Sequence, residues 1–137
     1  MLESSPLNDD DRGLIEIAEE TLRKNYVPGR HTCAAAVLCG GGRIYTGVNI
    51  QTAGYGTCAE PVALGAAFTK GEREARSIVV VCRRFNNYPV IPPCGNCRQM
   101  LLDYFPDIQV ILDANGAMQK TAARHLLPGI TLVDEPF

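Results

Sequence analysis

No apolar run in this 137-residue chain approaches the roughly 18 residues that a membrane-spanning helix requires, so no membrane partner is expected. Basic runs are equally scarce: none exceeds two residues, the pairs being Arg23-Lys24 and Arg83-Arg84. Nucleic-acid binders draw most of their affinity from phosphate contacts and carry basic stripes or patches to make them. A formal net charge of −2 without such a patch argues against a polymeric nucleic-acid partner and for a small-molecule one. The opening stretch MLESSPLNDDDRG is acidic and has no apolar signal core, which places the expectation in the cytoplasm. Internal repeats, low-complexity tracts and linkers are absent too, so residues 1–137 read as one domain.

Against these absences stand six cysteines. In a reducing compartment a patterned subset of thiols points to metal binding or chemistry rather than to disulfides. Three of them fall in two patterns: Cys58 opens CAEPVALG, and Cys94 and Cys97 form C-x-x-C within PPCGNCRQ. Both stretches read as helix starts, where the positive end of the helix lowers thiol pKa values and favours thiolates. Two thiols at C-x-x-C can grip one ion, and Cys58 supplies a third. A structural zinc site fills all four positions with protein ligands, whereas a catalytic one leaves a position for water, so three patterned thiols describe an open site. Three thiolates on Zn²⁺ sum to a negative charge, and Arg98, next to Cys97, is the candidate to offset it from behind the ligands. Glu60 stands too close in sequence to Cys58 to share the ion easily, yet near enough to exchange protons with a water there. Cys94 and Cys97 alone would also suit a redox dithiol, and all three thiols a closed structural site. Cys33, Cys39 and Cys82 fall in predicted strands and read as small core residues.

The periodicity predicts an amphipathic helix through NDDDRGLIEIAEETLRKNY and a hairpin of TCAAAVLC and GRIYTGVNI around Gly40-Gly41-Gly42. A buried helix follows from Cys58, with Pro61 confined to its first turn and Gly71 at its end. SIVVVC is a buried strand, CGNCRQMLLDYF a helix, DIQVILD a strand and DANG a tight turn. TAARHLLPG reads as a short last helix and ITLV as a last strand. The sum is an α/β chain, a three-layer α/β/α sandwich on a mixed five-stranded sheet.

CAEPVALG and PPCGNCRQMLLD, in this order and separation, resemble the small zinc-dependent cytidine deaminase family, near its blasticidin-S deaminase branch, over nearly the whole chain. GRIYTGVN and HLLPG are weaker echoes. The resemblance implies that Cys58, Cys94 and Cys97 hold one Zn²⁺ per subunit. It implies further that Glu60 moves protons as water adds at C4 of a cytosine ring and ammonia leaves. By the same resemblance Asn49 contacts the sugar, the assembly is a homotetramer, and an aromatic near the C-terminus, here Phe137, closes the pocket. Two departures stand out. Gln51 occupies the position of a glutamate that grips the sugar, and Pro61 that of an arginine beside the thiolates. Gln51 keeps a hydrogen-bonding head but loses the anionic acceptor. Tyr55, in the loop ahead of Cys58, is a candidate to stack on a base, and His31, before the pocket-lining strand, a candidate to touch substrate. The implied function is deamination of a free cytosine nucleoside or analogue, either cytidine or deoxycytidine or a blasticidin S-like antibiotic. The rival is a non-catalytic zinc-stabilised scaffold of the same fold.

Overall fold

The structure, a computed structural model, describes residues 3–129. The chain begins with a short strand β1 (Ser5–Pro6) and helix α1 (Asp9–Asn25). Asn8 caps α1: its side chain accepts from the Asp11 N–H while the Asp11 carboxylate accepts from the Asn8 N–H, satisfying two helix-end donors at once. Strands β2 (Cys33–Cys39) and β3 (Ile44–Val48) then form the expected hairpin around Gly40–Gly42. Helix α2 (Ala59–Thr69) holds Pro61 in its first turn, where no intrahelical N–H is lost, and Gly71 follows it in the left-handed region at φ 90°. Strand β4 (Ala75–Cys82), helix α3 (Gly95–Tyr104) and strands β5 (Gln109–Ala114) and β6 (Ala117–Ala122) complete the order.

The strands form one mixed sheet in the order β1-β6-β5-β4-β2-β3, parallel between β4 and β5 and antiparallel elsewhere. Period-two alternation sorts its side chains between two layers. Leu14, Ala18 and Leu22 of α1 pack on Ala34, Ala36, Val79 and Val81. On the other face Ala63, Leu64 and Ala67 of α2 and Leu101 of α3 pack on Ala35, Val37, Ile78 and Val80. The α/β/α sandwich is therefore as expected.

Three details differ. The sheet has six strands among the described residues rather than five, because the stretch after Asn115-Gly116 returns as β6 and Ser5–Pro6 pairs on its outer edge. Asn115 and Gly116 both have positive φ (57° and 89°), the geometry of a tight hairpin turn, so DANG reverses the chain directly into a strand. The last helix correspondingly shrinks to a single 3₁₀ turn, Ala123–His125. Cys33 and Cys82 are not separate core residues: they face each other across β2 and β4, Cα atoms 4.0 Å apart, and are joined as a disulfide. Cys39 is buried and free, as expected. The ITLV stretch and Phe137 lie outside the described residues. Among the described residues no helix is long and apolar enough to cross a membrane.

Candidate active site

Two helix N-termini meet at one end of the sheet. Cys58 is the N-cap of α2 and Cys94 the N-cap of α3, both with extended backbone, and Cys97 follows within the first turn of α3. Their sulfurs converge: Cys58 to Cys94 is 3.7 Å, Cys94 to Cys97 is 3.6 Å, and all three lie within 4.8 Å of one another. Tetrahedral zinc with Zn–S bonds of about 2.3 Å spaces its sulfurs about 3.8 Å apart, so the donor set fits that ion. Without a cation the cluster is electrostatically awkward. Burial raises the Cys97 and Cys58 thiols above their ordinary range; Cys94 and Glu60 add to this at both, while a hydrogen bond with Cys97 partly offsets it at Cys58. Burial acts on Cys94 in the same direction, but the N–H groups of Cys97 and Asn96 and the two adjacent thiols outweigh it and hold Cys94 low. Three crowded thiols, one of them eased toward ionisation, are the arrangement a divalent cation resolves.

Glu60, in the first turn of α2, is 4% exposed and stands beside the Cys97 thiol. Burial pushes its carboxyl above the usual carboxylate range, and its own backbone N–H and Cys97 only partly offset this. A pocket of about 440 Å³ opens over the cluster, lined by Glu60, Cys58, Cys94, Asn49, Gln51 and Thr57 and walled by Cys33, Ile50, Val80, Ile91, Pro92 and Pro93. Apolar walls suit a flat ring, and the few polar groups gather at the metal side and along the Asn49–Thr57 loop.

The remaining sequence candidates separate. Asn49 reaches the pocket, but its side-chain oxygen is already committed: it accepts from the N–H groups of Thr32 (2.7 Å) and Cys33 (2.9 Å). Only its NH₂ group remains to meet a ligand, and that sits 3.3 Å from the Thr32 hydroxyl. Gln51 lies exposed on the pocket lining. Tyr55 is 81% exposed and is not part of the lining. His31 does not line the pocket either; its Nδ1 donates to the Asn49 carbonyl at 2.8 Å and steadies that loop. Arg98 does not spend its donors on sulfur: Nε donates to Pro93 O (2.8 Å) and Nη1 to Leu126 O (2.9 Å). It therefore pins the backbone just before Cys94 to the turn after β6. The apolar wall of Ile91, Pro92 and Val80 and the place of Cys33 in it escaped the reading of the sequence. The Pro92-Pro93 pair directly before Cys94 was the available sign, since prolines entering a helix cap have little freedom to leave the site.

This geometry has close counterparts. The family profile described as cytidine and deoxycytidylate deaminase zinc-binding region matches residues 8–111, a span that holds all three thiols and Glu60. A blasticidin-S deaminase from Bacillus cereus is 31% identical over 129 residues, covering 89% of this chain and 92% of that protein. A cytidine deaminase from Halalkalibacterium halodurans is 37% identical over 125 residues, covering 88% and 92%. The crystal structure of a cytidine deaminase from Burkholderia pseudomallei superposes with a TM-score of 0.74 at 31% identity, covering 91% of this chain and all of that one. By sequence, fold and the thiol–carboxylate constellation together, the chain belongs to the cytidine and deoxycytidylate deaminase zinc-binding family.

Proposed function

We propose that the chain hydrolyses the exocyclic amine of a free cytosine nucleoside or nucleoside analogue, giving the uracil form and ammonia, and that its preferred substrate is a blasticidin S-like analogue rather than cytidine or deoxycytidine. The observation that carries the reaction is the buried Glu60 carboxyl beside three convergent thiols at the floor of an apolar pocket. A scaffold would need the metal but not a carboxylate set where a ring amine can reach it.

Cys58, Cys94 and Cys97 would hold zinc, which when bound supplies a Lewis acid that activates water. The chain's own residues do the rest. Ile91, Pro92 and Val80 clamp the ring and exclude bulk water. Glu60 takes a proton from the attacking water and passes it to ring N3 as C4 becomes tetrahedral. It then takes the second proton from the new C4 hydroxyl and delivers it to the amino group, so that the C4–N bond breaks, C4=O forms and ammonia leaves. A carboxyl held above its usual range by burial suits both directions of that transfer. Asn49, able only to donate, holds an oxygen of the sugar portion, with Gln51 beside it. The neutral Gln51 favours the analogue. Arg98 keeps Cys94 in place through Pro93. The assembly on this reading is a homotetramer, and the three free thiols that would hold zinc call for a reducing compartment, the cytoplasm.

The test is ammonia release with loss of the cytosine absorbance band, from zinc-loaded protein offered cytidine, deoxycytidine, 5-substituted cytidines and blasticidin S. Glu60→Gln serves as the blank and should lose about 10²–10⁴-fold in kcat while keeping its zinc. Turnover of cytidine well above that of blasticidin S overturns the substrate preference. Undiminished turnover in Glu60→Gln overturns the mechanism.

A further inference from the structure

The Cys33–Cys82 bond has no part in the deamination, yet it stands in the pocket wall. Alternation along β2 puts Cys33 on the same face as Ala35 and Val37, and along β4 it puts Cys82 with Ile78 and Val80, the face that carries α2, α3 and the metal cluster. Cys33 is the first residue of β2 and Cys82 the last of β4, so the bond sits at the very end of the sheet where the pocket opens. The two cysteines are not equivalent. Cys33 lines the pocket together with Glu60, Cys58 and Cys94, whereas Cys82 is only 6% exposed and does not line it. A reagent small enough to enter the pocket therefore meets the Cys33 end of the bond and not the Cys82 end.

We infer that Cys33–Cys82 is a thiol-exchange site, opened at Cys33 by a low-molecular-weight thiol that enters through the substrate pocket, and that the resulting adduct closes the pocket to substrate. The thiolate attacks the Cys33 sulfur, a new sulfur–sulfur bond forms, and the Cys33–Cys82 bond breaks with its electron pair passing to Cys82, which takes up a proton. The adduct resolves in one of two ways. The Cys82 thiolate attacks the Cys33 sulfur again, expelling the thiol and restoring the original bond. Alternatively a second thiol attacks the outer sulfur and expels the Cys33 thiolate, so that the two small thiols give up two electrons to the protein and depart as a small-molecule disulfide, leaving Cys33 and Cys82 as free thiols. Adduct relative to the intact bond thus follows the concentration of small thiol, and adduct relative to the open dithiol follows the ratio of small disulfide to small thiol. A tripeptide thiol such as glutathione, seated on Cys33, fills much of a pocket of about 440 Å³. The blocking half of this inference rests on the nucleoside reading of the pocket; the exchange half does not.

The experiment uses zinc-loaded full-length protein equilibrated with glutathione and glutathione disulfide at a series of ratios. Peptide mass mapping locates the adduct, a chromogenic chelator follows zinc release, and nucleoside binding and turnover are read on the same samples. The expected result is an adduct on Cys33 and not on Cys82, with zinc retained and the adduct slowed by a saturating cytosine nucleoside. Turnover and nucleoside binding should fall in proportion to the fraction of Cys33 modified. In Cys82→Ser the Cys33 adduct should persist on dilution, for want of the resolving thiol, with activity compared only to the same variant untreated. Cys33 and Cys82 found as free thiols in protein purified without reductant would overturn the inference. So would modification of Cys58, Cys94 or Cys97 ahead of Cys33 with loss of zinc, or a Cys33 adduct that leaves nucleoside binding intact. Protein that shows the Cys33 adduct but never turns over any nucleoside overturns the proposed function and the blocking half alone, since the mapping stands without turnover.

Discussion

Gly47 offers the sharpest test of how the fold positions the site. It lies buried in β3, opposite Ala35 of β2 on the face that carries α2. A Cβ built there would come within 2.5 Å of the Ala63 nitrogen and 2.8 Å of both the carbonyl carbon and the Cγ1 of Val62. Two of these three atoms are helix backbone and cannot rotate aside. Gly47→Ala therefore has to drive α2 off the sheet until the contact reaches the ordinary 3.4 Å or more, a retreat of about 1 Å. Overpacking of this kind costs about 1–3 kcal/mol, which for a domain of this size is a fall in Tm of roughly 3–10 °C.

The catalytic consequence is larger than the stability one. Cys58 and Glu60 precede Ala63 by five and three residues on the same rigid helix, whereas Cys94 and Cys97 ride on α3, which the new methyl does not touch. The retreat shifts Glu60 relative to a ring held by Ile91 and Pro92. A misplacement near 1 Å costs about 10²-fold in rate where alignment limits it. The assay is kcat/KM with the best nucleoside of the panel, alongside thermal unfolding and zinc content. Gly65→Ala is the control: the same helix, with nothing within 4 Å of its new Cβ. That change should raise stability by about 0.5–1 kcal/mol, since it removes a helix-interior glycine. Gly47→Ala with wild-type Tm and kcat/KM would refute the claim that close helix–sheet approach at this residue sets the position of Glu60.

Asn49→Ala should leave the Thr32 and Cys33 N–H groups without their acceptor and cost about 1–3 kcal/mol in urea unfolding. Asn49→Asp keeps the acceptor and loses only the NH₂ donor, so stability should hold while KM rises; equal damage from both variants would remove the ligand role. Glu72 is held below the usual carboxylate range, first by its hydrogen bonds from Arg43, with the Tyr45 hydroxyl adding to them against the effect of burial. A depressed folded pKa means that its stabilisation is present above the unfolded value near pH 4.3 and is lost as pH falls through the lower folded value. The stability gap between wild type and Glu72→Gln, followed by thermal unfolding, should therefore be constant at neutral pH and narrow in acid. A gap that widens in acid would reverse the assignment.

Much of the site was legible because its parts are local. A thiol at a helix start, a carboxylate two residues on and a second helix start with C-x-x-C each depend on a few neighbouring residues, and the fold needed only to bring two helix ends together. Cys58, Glu60, Cys94 and Cys97 meet as the spacing implied. What escaped depends on partners distant in sequence. The donors of Arg98 go to carbonyls at Pro93 and Leu126, and the second of these lies 28 residues away. Tyr55 sits in the right loop by sequence but points out of the pocket lining, since loop direction is set by the Ile50–Thr57 bridge and not by composition. The sixth strand was hidden by a polar run, AMQKTA, whose pairing with β5 follows from the turn at Asn115-Gly116 rather than from its own hydrophobicity.

Cys33 shows how these distant contacts become one device. Its N–H donates to the Asn49 side chain at the end of β3, and its sulfur is bonded to Cys82 at the end of β4. The Asn49 carbonyl in turn accepts from His31, and the N–H of Arg83, next to Cys82, donates to Thr32. Three strand ends are thereby tied at the one place where the pocket opens, so the group offered to the sugar and the bond offered to a thiol share a support. Opening the bond at Cys33 removes one tie of this set while the hydrogen bonds to Asn49 remain. The pocket wall should then loosen without collapsing, and the reduced protein without adduct should bind nucleoside more weakly than the disulfide form and more tightly than Asn49→Ala. Equilibrium dialysis of a labelled nucleoside against the three proteins gives that order directly, and equal affinity of the reduced and disulfide forms would show that the bond adds nothing to the wall.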